Sequence, residues 1–239
     1  MRDRMYADEP GDPGGFVFND QVADVFPDMI ARSVPGYAAT LRLIGSIASR
    51  HVQPGGRCYD LGCSLGAASL AVHDALGDTA DIMAIDRSEA MIQRLDREIA
   101  QRGISTLRTQ VADIRNVRIQ NADLTVLNFT LQFIPPGDRL DLLRRIANGT
   151  RPGGVLVLSE KIRFEDHAVE TEMKALHEAF KKANGYSDLE ISRKRSALEN
   201  VLIPETLQAH QRRLREAGFA RVQVWLQCFN FMSLLAFRE

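Results

Sequence analysis

The chain of 239 residues has few cysteines: Cys58, Cys63 and Cys228. Three cannot build a disulfide framework, and none has the paired spacing of a zinc or redox site, so a reducing compartment is expected. Charge of one sign is also lacking, since Lys plus Arg total 30 against 31 for Asp plus Glu, leaving a net charge of -1. A protein drawn to nucleic acid or membrane by its overall field is usually far more basic, so neither is expected as a direct partner. No apolar run reaches the roughly 18 residues of a membrane span, and the opening MRDRMYADEPGDPGGF has no apolar stretch of signal-peptide length. Repeats and low-complexity segments are missing as well. What remains is a chain with 45% hydrophobic and 26% charged residues, ordinary for a globular protein with a sizeable core. The expectation is a soluble cytoplasmic protein with a flexible tail over residues 1–16 and a single domain over residues 17–239.

The core pattern alternates short apolar runs with longer amphipathic ones. Val22, Val25, Phe26, Met29 and Ile30 fall at helical spacing from Asp20 to Ser33, with Pro27 expected to split the run into two short helices. A second helix is expected from Tyr37 to His51. RCYDLGCSLGAASLAVHDALG then reads as a strand ending near Leu61, a glycine turn and a helix beginning near Leu65. DIMAID reads as a buried strand ending in Asp86, followed by Ser88 as the N-cap of a helix to Arg102. A weaker strand from Leu107 to Ile114, the β-rich ADLTVLNFT, a helix in PPGDRLDLLRRIANGT and the strand GGVLVLSEK continue the alternation. This is the pattern of a parallel sheet covered on both faces. It breaks at residues 165–218, which read as consecutive helices with an insertion over about 165–203. RVQVWLQC and SLLAFR then suit an antiparallel hairpin. A mostly parallel α/β sheet closed by such a hairpin resembles the class I S-adenosylmethionine-dependent methyltransferase architecture, a Rossmann-like fold.

The candidate ligand groups lie at the carboxyl ends of successive strands, where open parallel sheets bind ligands. In DLGCSLG, Gly62 and Gly66 flank Ser64 between a strand and a helix, where bare backbone can approach a ligand; the bland reading is an ordinary turn. Asp86, 20 positions beyond Gly66, is placed to accept from both hydroxyls of a ribose, and otherwise is an acid beside a helix N-terminus. Asp113 could accept from an adenine amino group while the Ile114 amide donates to the ring. Asn128 ends the fourth strand on the same edge, and otherwise is a satisfied core amide. Together these positions imply one adenosyl site.

A more specific likeness runs from about residue 17 to the C-terminus. VADVFPDMIARSVPGY, YDLGCSLGAA, AIDRSEAMI, VLNFTLQF, LVLSEK, KANGYSDLEISRKRSALENV and QCFNFMSLLA together resemble the carboxy-S-adenosyl-L-methionine synthase family, bacterial relatives of the class I methyltransferases. The resemblance implies an enzyme that makes carboxy-S-adenosylmethionine and phenylpyruvate from S-adenosylmethionine and prephenate. It further implies that a separate transferase uses the product to make 5-oxyacetyluridine at the tRNA wobble position, and that the enzyme is a homodimer. By resemblance, Tyr37, Gly62, Cys63, Ser64, Asp86, Arg87, Asp113, Ile114, Asn128 and Arg195 match the family's ligand-contacting positions. S-adenosylmethionine is then a substrate, and no metal is implied.

The product carries an added carboxylate, which calls for a fixed cation that ordinary methyl transfer does not need. Arg195 is the leading candidate, with Tyr37 as a phenolic donor to the same group, and these two are the expected catalytic residues. The bland readings are that Arg193, Lys194 and Arg195 form a solvated helix face and that Tyr37 packs at a helix start. His177 reads as a surface or capped core histidine, Lys161 and Arg163 are left outside the site, and Arg212, Arg213 and Arg215 read as a solvated face. Two other functions stay open: a conventional S-adenosylmethionine-dependent methyltransferase acting on a small acidic molecule or tRNA, and a non-catalytic S-adenosylmethionine-binding module.

Overall fold

The computed structural model describes residue 3 and residues 19–198 and 201–239. Its centre is a seven-stranded sheet in the order β3-β2-β1-β4-β5-β7-β6. The strands are β1 (Arg57–Leu61), β2 (Asp81–Asp86), β3 (Leu107–Val111), β4 (Ala122–Asn128), β5 (Thr150–Lys161), β6 (Arg221–Cys228) and β7 (Phe231–Phe237). The first five run parallel, and β7 is antiparallel to both β5 and β6. The strand order reverses between β1 and β4, which opens a crevice at their carboxyl ends.

Successive residues of the central strands bury on opposite faces, as the period of two requires. Cys58, Ile82, Ala84, Leu124, Val126, Val155 and Val157 share one core with Ile44 and Ala48 of α2 (Tyr37–His51), Ala68 and Val72 of α3 (Ala67–Leu76) and Ile92 and Leu95 of α4 (Glu89–Arg102). Tyr59, Leu61, Ile85, Leu127, Leu156 and Leu158 turn to the other face. There they meet Leu142 and Ile146 of α5 (Pro136–Gly149) and Leu214 of α8 (Leu207–Ala217). The central stretches of β2 and β5, IMAI and VLVL, are apolar throughout because both of their faces are covered.

One expectation is overturned at the start. Helix α1 (Asp20–Ser33) runs unbroken through Pro27. Proline removes one intrahelical donor, but Val22, Val25 and Met29 lie on both sides of it in a single cluster with Met91, and that shared face keeps the helix whole. Residues 1–16 lie outside the described residues except for Asp3, which is buried and accepts a 2.5 Å hydrogen bond from the Tyr186 hydroxyl. Between β5 and α8 the chain forms α6 (His167–Ala183) and α7 (Asp188–Leu198), within the span expected as an insertion, with α6 lying against α1 and α7. Asp166 caps α6 by accepting from Ala168 and Val169 amides. The arginine trio of α8 is not uniformly solvated: Arg213 turns inward and pairs with Glu205. No helix among the described residues is long and apolar enough to cross a membrane.

Candidate active site

At the end of β1 the chain folds back on β2, with the Gly62 and Cys63 amides both donating to the Ile85 carbonyl at 2.7 and 3.0 Å. Gly62 has φ +77°, and a Cβ there would lie 2.3 Å from Thr130 Cγ2. Gly66, at φ +76°, would put a Cβ 2.3 Å from Leu95 Cδ1. Both positions therefore need glycine on two counts, backbone conformation and space. Ser64 has φ 52°. Its amide donates to Asp86 Oδ2 at 2.8 Å, and its hydroxyl points at Met91 Sδ, 3.4 Å away. Asp86 Oδ1 accepts from the Ser88 amide at 2.8 Å. A carboxylate has about four acceptor positions, so Asp86 braces the glycine turn and keeps acceptor capacity for a vicinal diol.

Further along the same edge, Asp113 caps a short turn over Ile114–Asn116. Its carboxylate is gripped by Arg115 through Nε at 3.1 Å and Nη2 at 2.6 Å. Those hydrogen bonds hold the Asp113 carboxyl below its ordinary range despite partial burial. A ligand amine would therefore share Asp113 with Arg115, a partner the sequence reading did not anticipate. Asn128 Oδ1 is buried with no hydrogen-bond partner, and the residue lines the cavity. An orphaned acceptor in a cavity wall marks a place where a donor from a ligand fits. Burial, with Asp60 and Asp86 nearby, pushes the Cys63 thiol well up, which makes it wall rather than nucleophile.

Asp60, which the sequence reading passed over, also lines the cavity. It is buried, and Ser69 donates to Oδ2 through its amide at 3.0 Å and its hydroxyl at 2.6 Å. Burial pushes its carboxyl up to about 6, against those two hydrogen bonds. The available signal was its place, an acid immediately before the glycine turn. Tyr37 begins α2 with its ring 6.3 Å from that of Phe129, and burial followed by the Asp60 charge raises its phenol.

The cavity measures about 530 Å³ and continues from these groups to a basic wall built by other elements. Lys161 comes from the end of β5, His177 and Lys181 from α6, and Lys194 and Arg195 from α7. His177 is buried, with Nε2 2.8 Å from the Ser33 carbonyl oxygen and its ring edge-on to Phe231. Burial, then Lys181, lowers it to about 3, so it is neutral. Burial lowers Lys181 to about 8 with help from Lys161, and lowers Lys194 to about 8 against the pull of Asp3. Arg195 lines the cavity but its side chain is 65% exposed, and Nη1 donates to Glu178 Oε1 at 2.9 Å. Arg87 is exposed at the rim. All ten expected ligand-contacting residues thus line one cavity, and the lysines were missed because each reads as a solvated charge in its own segment. Among the described residues no group of three or more His, Cys, Asp or Glu side chains is arranged to hold a metal ion.

The strand order, the glycine turn and the acid ending β2 define a class I methyltransferase-like domain. A family model described as a methyltransferase domain matches residues 59–154. A putative O-methyltransferase from Nostoc punctiforme superimposes with a TM-score of 0.67 at 18% identity, covering 92% of this chain and 59% of that one. Human N-acetylserotonin methyltransferase in complex with SAM gives 0.60 at 17% identity, covering 92% and 55%. Both likenesses speak for the fold alone, and this chain spans just over half the length of either structure. Curated relatives are far more similar. The carboxy-S-adenosyl-L-methionine synthase of Geobacter sp. strain M21 is 54% identical over 226 residues, 93% of each chain. That of Marinobacter nauticus is 53% identical over 243 residues, covering 100% of this chain and 96% of the relative. The chain belongs to the carboxy-S-adenosyl-L-methionine synthase family.

Proposed function

We propose that this protein converts S-adenosylmethionine and prephenate to carboxy-S-adenosylmethionine, phenylpyruvate and water. The observation that carries the reading is the continuity of one cavity from Asp86, Asp113 and Asn128 to the basic wall of Lys161, Lys181, Lys194 and Arg195. A methyl donor with a neutral acceptor has no use for such a wall, whereas a dicarboxylate does. In this reading Asp86 holds the ribose hydroxyls, and Asp113 with the Ile114 amide holds the adenine edge. The Gly62–Ser64 backbone and Asn128 meet the amino-acid portion, with Arg87 at the rim. Arg195 and Tyr37 stabilise the carboxylate of the product.

The chemistry balances without a metal or an external base. Prephenate aromatises with loss of carbon dioxide and hydroxide, hydroxide takes a proton from the sulfonium methyl to form water, and the methyl carbon bonds to the carbon dioxide. The residues then have two tasks, to hold the partners in near-attack geometry and to keep out bulk water. Met29, Phe26 and Phe231 supply the apolar part of the wall. A homodimer belongs to the reading as well, supported by exposed Val169 and Leu189 on the insertion. So does the cytoplasm, which suits three free cysteines. The product would supply a separate transferase with the carboxymethyl donor for 5-oxyacetyluridine at the tRNA wobble position.

Mass spectrometry of the small molecules from purified protein incubated with both substrates tests the reaction. A species heavier than S-adenosylmethionine by about 44 Da, one carbon dioxide, is expected, together with phenylpyruvate. Only S-adenosylmethionine, unchanged, would instead identify a binding module, and S-adenosylhomocysteine a conventional methyltransferase. Arg195→Ala is expected to lower kcat/KM at least about 100-fold by removing a charge-assisted fork to the new carboxylate. Full turnover by that variant would remove Arg195 from the catalytic set.

A further inference from the structure

The lysines of α6 fall into two groups. Lys174 and Lys182 are exposed, and each is paired, with Glu170 at 2.9 Å and Asp188 at 2.6 Å. Lys181, on the same helix, is half-buried in the cavity wall, and its ammonium group makes no hydrogen bond or ion pair among the described residues. The same is true of the Lys161 side chain at the end of β5. Lys194, the third lysine of the wall, is held by Ser33 Oγ at 3.0 Å and lies 3.8 Å from Asp3. The two nearby acids are engaged elsewhere: Glu170 accepts from the Phe164 amide at 2.8 Å and pairs with Lys174, and Glu178 pairs with Arg195, so each attracts the wall lysines only from a distance. The protein therefore pairs the lysines that water already stabilises and leaves two ammonium groups without a direct partner where water is scarce. Half-buried like charges without counter-ions are costly, and an anion occupying the cavity offsets that cost.

We propose that Lys161 and Lys181 form a carboxylate-binding subsite for the pyruvyl carboxylate of the co-substrate, the carboxylate that is kept in the product. This inference rests on the reaction proposed above. Of the two carboxylates of prephenate, the ring carboxylate leaves as carbon dioxide and must lie beside the sulfonium methyl, within reach of Arg195. The pyruvyl carboxylate does not react, so it can be held by fixed charges from binding to release. Lysine ammonium groups suit this task, because a retained monovalent end needs point charges rather than the planar fork that follows a carboxylate as it forms. Neutral His177 beside Lys181 adds a wall without charge, leaving the two lysines as the attraction at this end.

Phenylpyruvate, which keeps this carboxylate and lacks the other, is the diagnostic probe. Its binding to wild-type protein saturated with S-adenosylmethionine should be measurable by calorimetry, and Lys161→Met and Lys181→Met should each weaken it about tenfold, the change expected for one charge-assisted contact. Prephenate KM should rise in parallel while S-adenosylmethionine affinity stays within about twofold. Lys181→Arg should recover most of the loss, which a merely structural role would not predict. Phenylpyruvate that does not bind the wild-type protein, or binds the methionine variants equally well, overturns the subsite. So does an equal loss of S-adenosylmethionine affinity. A wild-type protein that binds phenylpyruvate with lysine dependence but does not turn over prephenate would overturn the reaction instead and leave the anion subsite standing.

Discussion

Asp86→Ala is expected to weaken S-adenosylmethionine binding by at least about 100-fold, with little change in the fold. Two hydrogen bonds from ribose hydroxyls to a carboxylate are worth roughly 1.5–3 kcal/mol each, and 1.4 kcal/mol is a factor of ten. The same side chain accepts from the Ser64 and Ser88 amides at 2.8 Å. Its loss therefore also loosens a turn in which Ser64 holds φ 52°. Ser64 lines the cavity, where water can replace the carboxylate at its amide, so the melting temperature should fall far less than the affinity. Asp86→Asn keeps one acceptor for the turn and should fall between the two proteins. Calorimetric titration with S-adenosylmethionine, with thermal unfolding as the control, decides the matter. An affinity within threefold of wild type in the alanine variant would show that the ribose is not held here.

The two clearest groups of this site in the sequence share a feature: each sits where an apolar run ends. Asp86 closes DIMAID and Asn128 closes ADLTVLN, and β2 and β4 end at those residues. A parallel strand buried on both faces advertises its own ends, so the side chain emerging at the carboxyl edge can be read off the run. In the basic wall only Lys161, which ends β5, carries that marker. Lys161, Lys181 and Lys194 lie on three elements, and charge in a helical segment ordinarily means a solvated face. The packing of α6 against α1, with His177 reaching Ser33, brings Lys181 to the cavity, and Ser33 Oγ holds Lys194 of α7 there. Pro27 was misread for a related reason, because its local cost is visible in the sequence while the tertiary contacts of Val22, Val25 and Met29 that outweigh it are not. Local pattern reached the adenosyl site, whereas the co-substrate and the reaction came from the likeness of whole segments such as ISRKRSALEN.

Arg139 is the other position where a large effect is expected, and it was hidden for the same reason, as one charge in an amphipathic helix. In the structure its side chain is fully buried. Nε donates to the Ile134 carbonyl at 2.8 Å, Nη2 to the carbonyls of Gln132 at 3.2 Å and Ile203 at 2.9 Å, and Nη1 to Glu205 Oε2. One guanidinium thus ties α5 to the segments 132–134 and 203–205, and Gln132, Ile134 and Pro204 line the cavity. Below it Glu160, also buried, accepts from the Leu131 and Gln132 amides at 2.9 Å each. Burial pushes that carboxyl up to about 8 even against the attraction of Arg139. Arg139→Met would fill much of the volume but take the guanidinium from the Ile134 and Ile203 carbonyls, leave the Gln132 carbonyl with the Ile203 amide, and leave the Glu205 carboxylate with Arg213 alone. Removing one partner of a buried pair costs about 3–5 kcal/mol. For a chain of this length each kcal/mol lowers the melting temperature by roughly 2–4 °C, so a fall on the order of 10 °C is expected. The gap should narrow in acid. Burial acts to raise Glu205, but hydrogen bonds from Arg213 and Arg139 outweigh it and hold its carboxyl below the ordinary value. The stability it contributes is therefore present above the ordinary glutamate pKa of roughly 4.3 and is lost as pH falls through the depressed value. Thermal unfolding of both proteins at neutral pH and again well below that range measures both claims. A fall of under about 2 °C at neutral pH, less than 1 kcal/mol, would mean that the network contributes nothing beyond an apolar side chain of the same size.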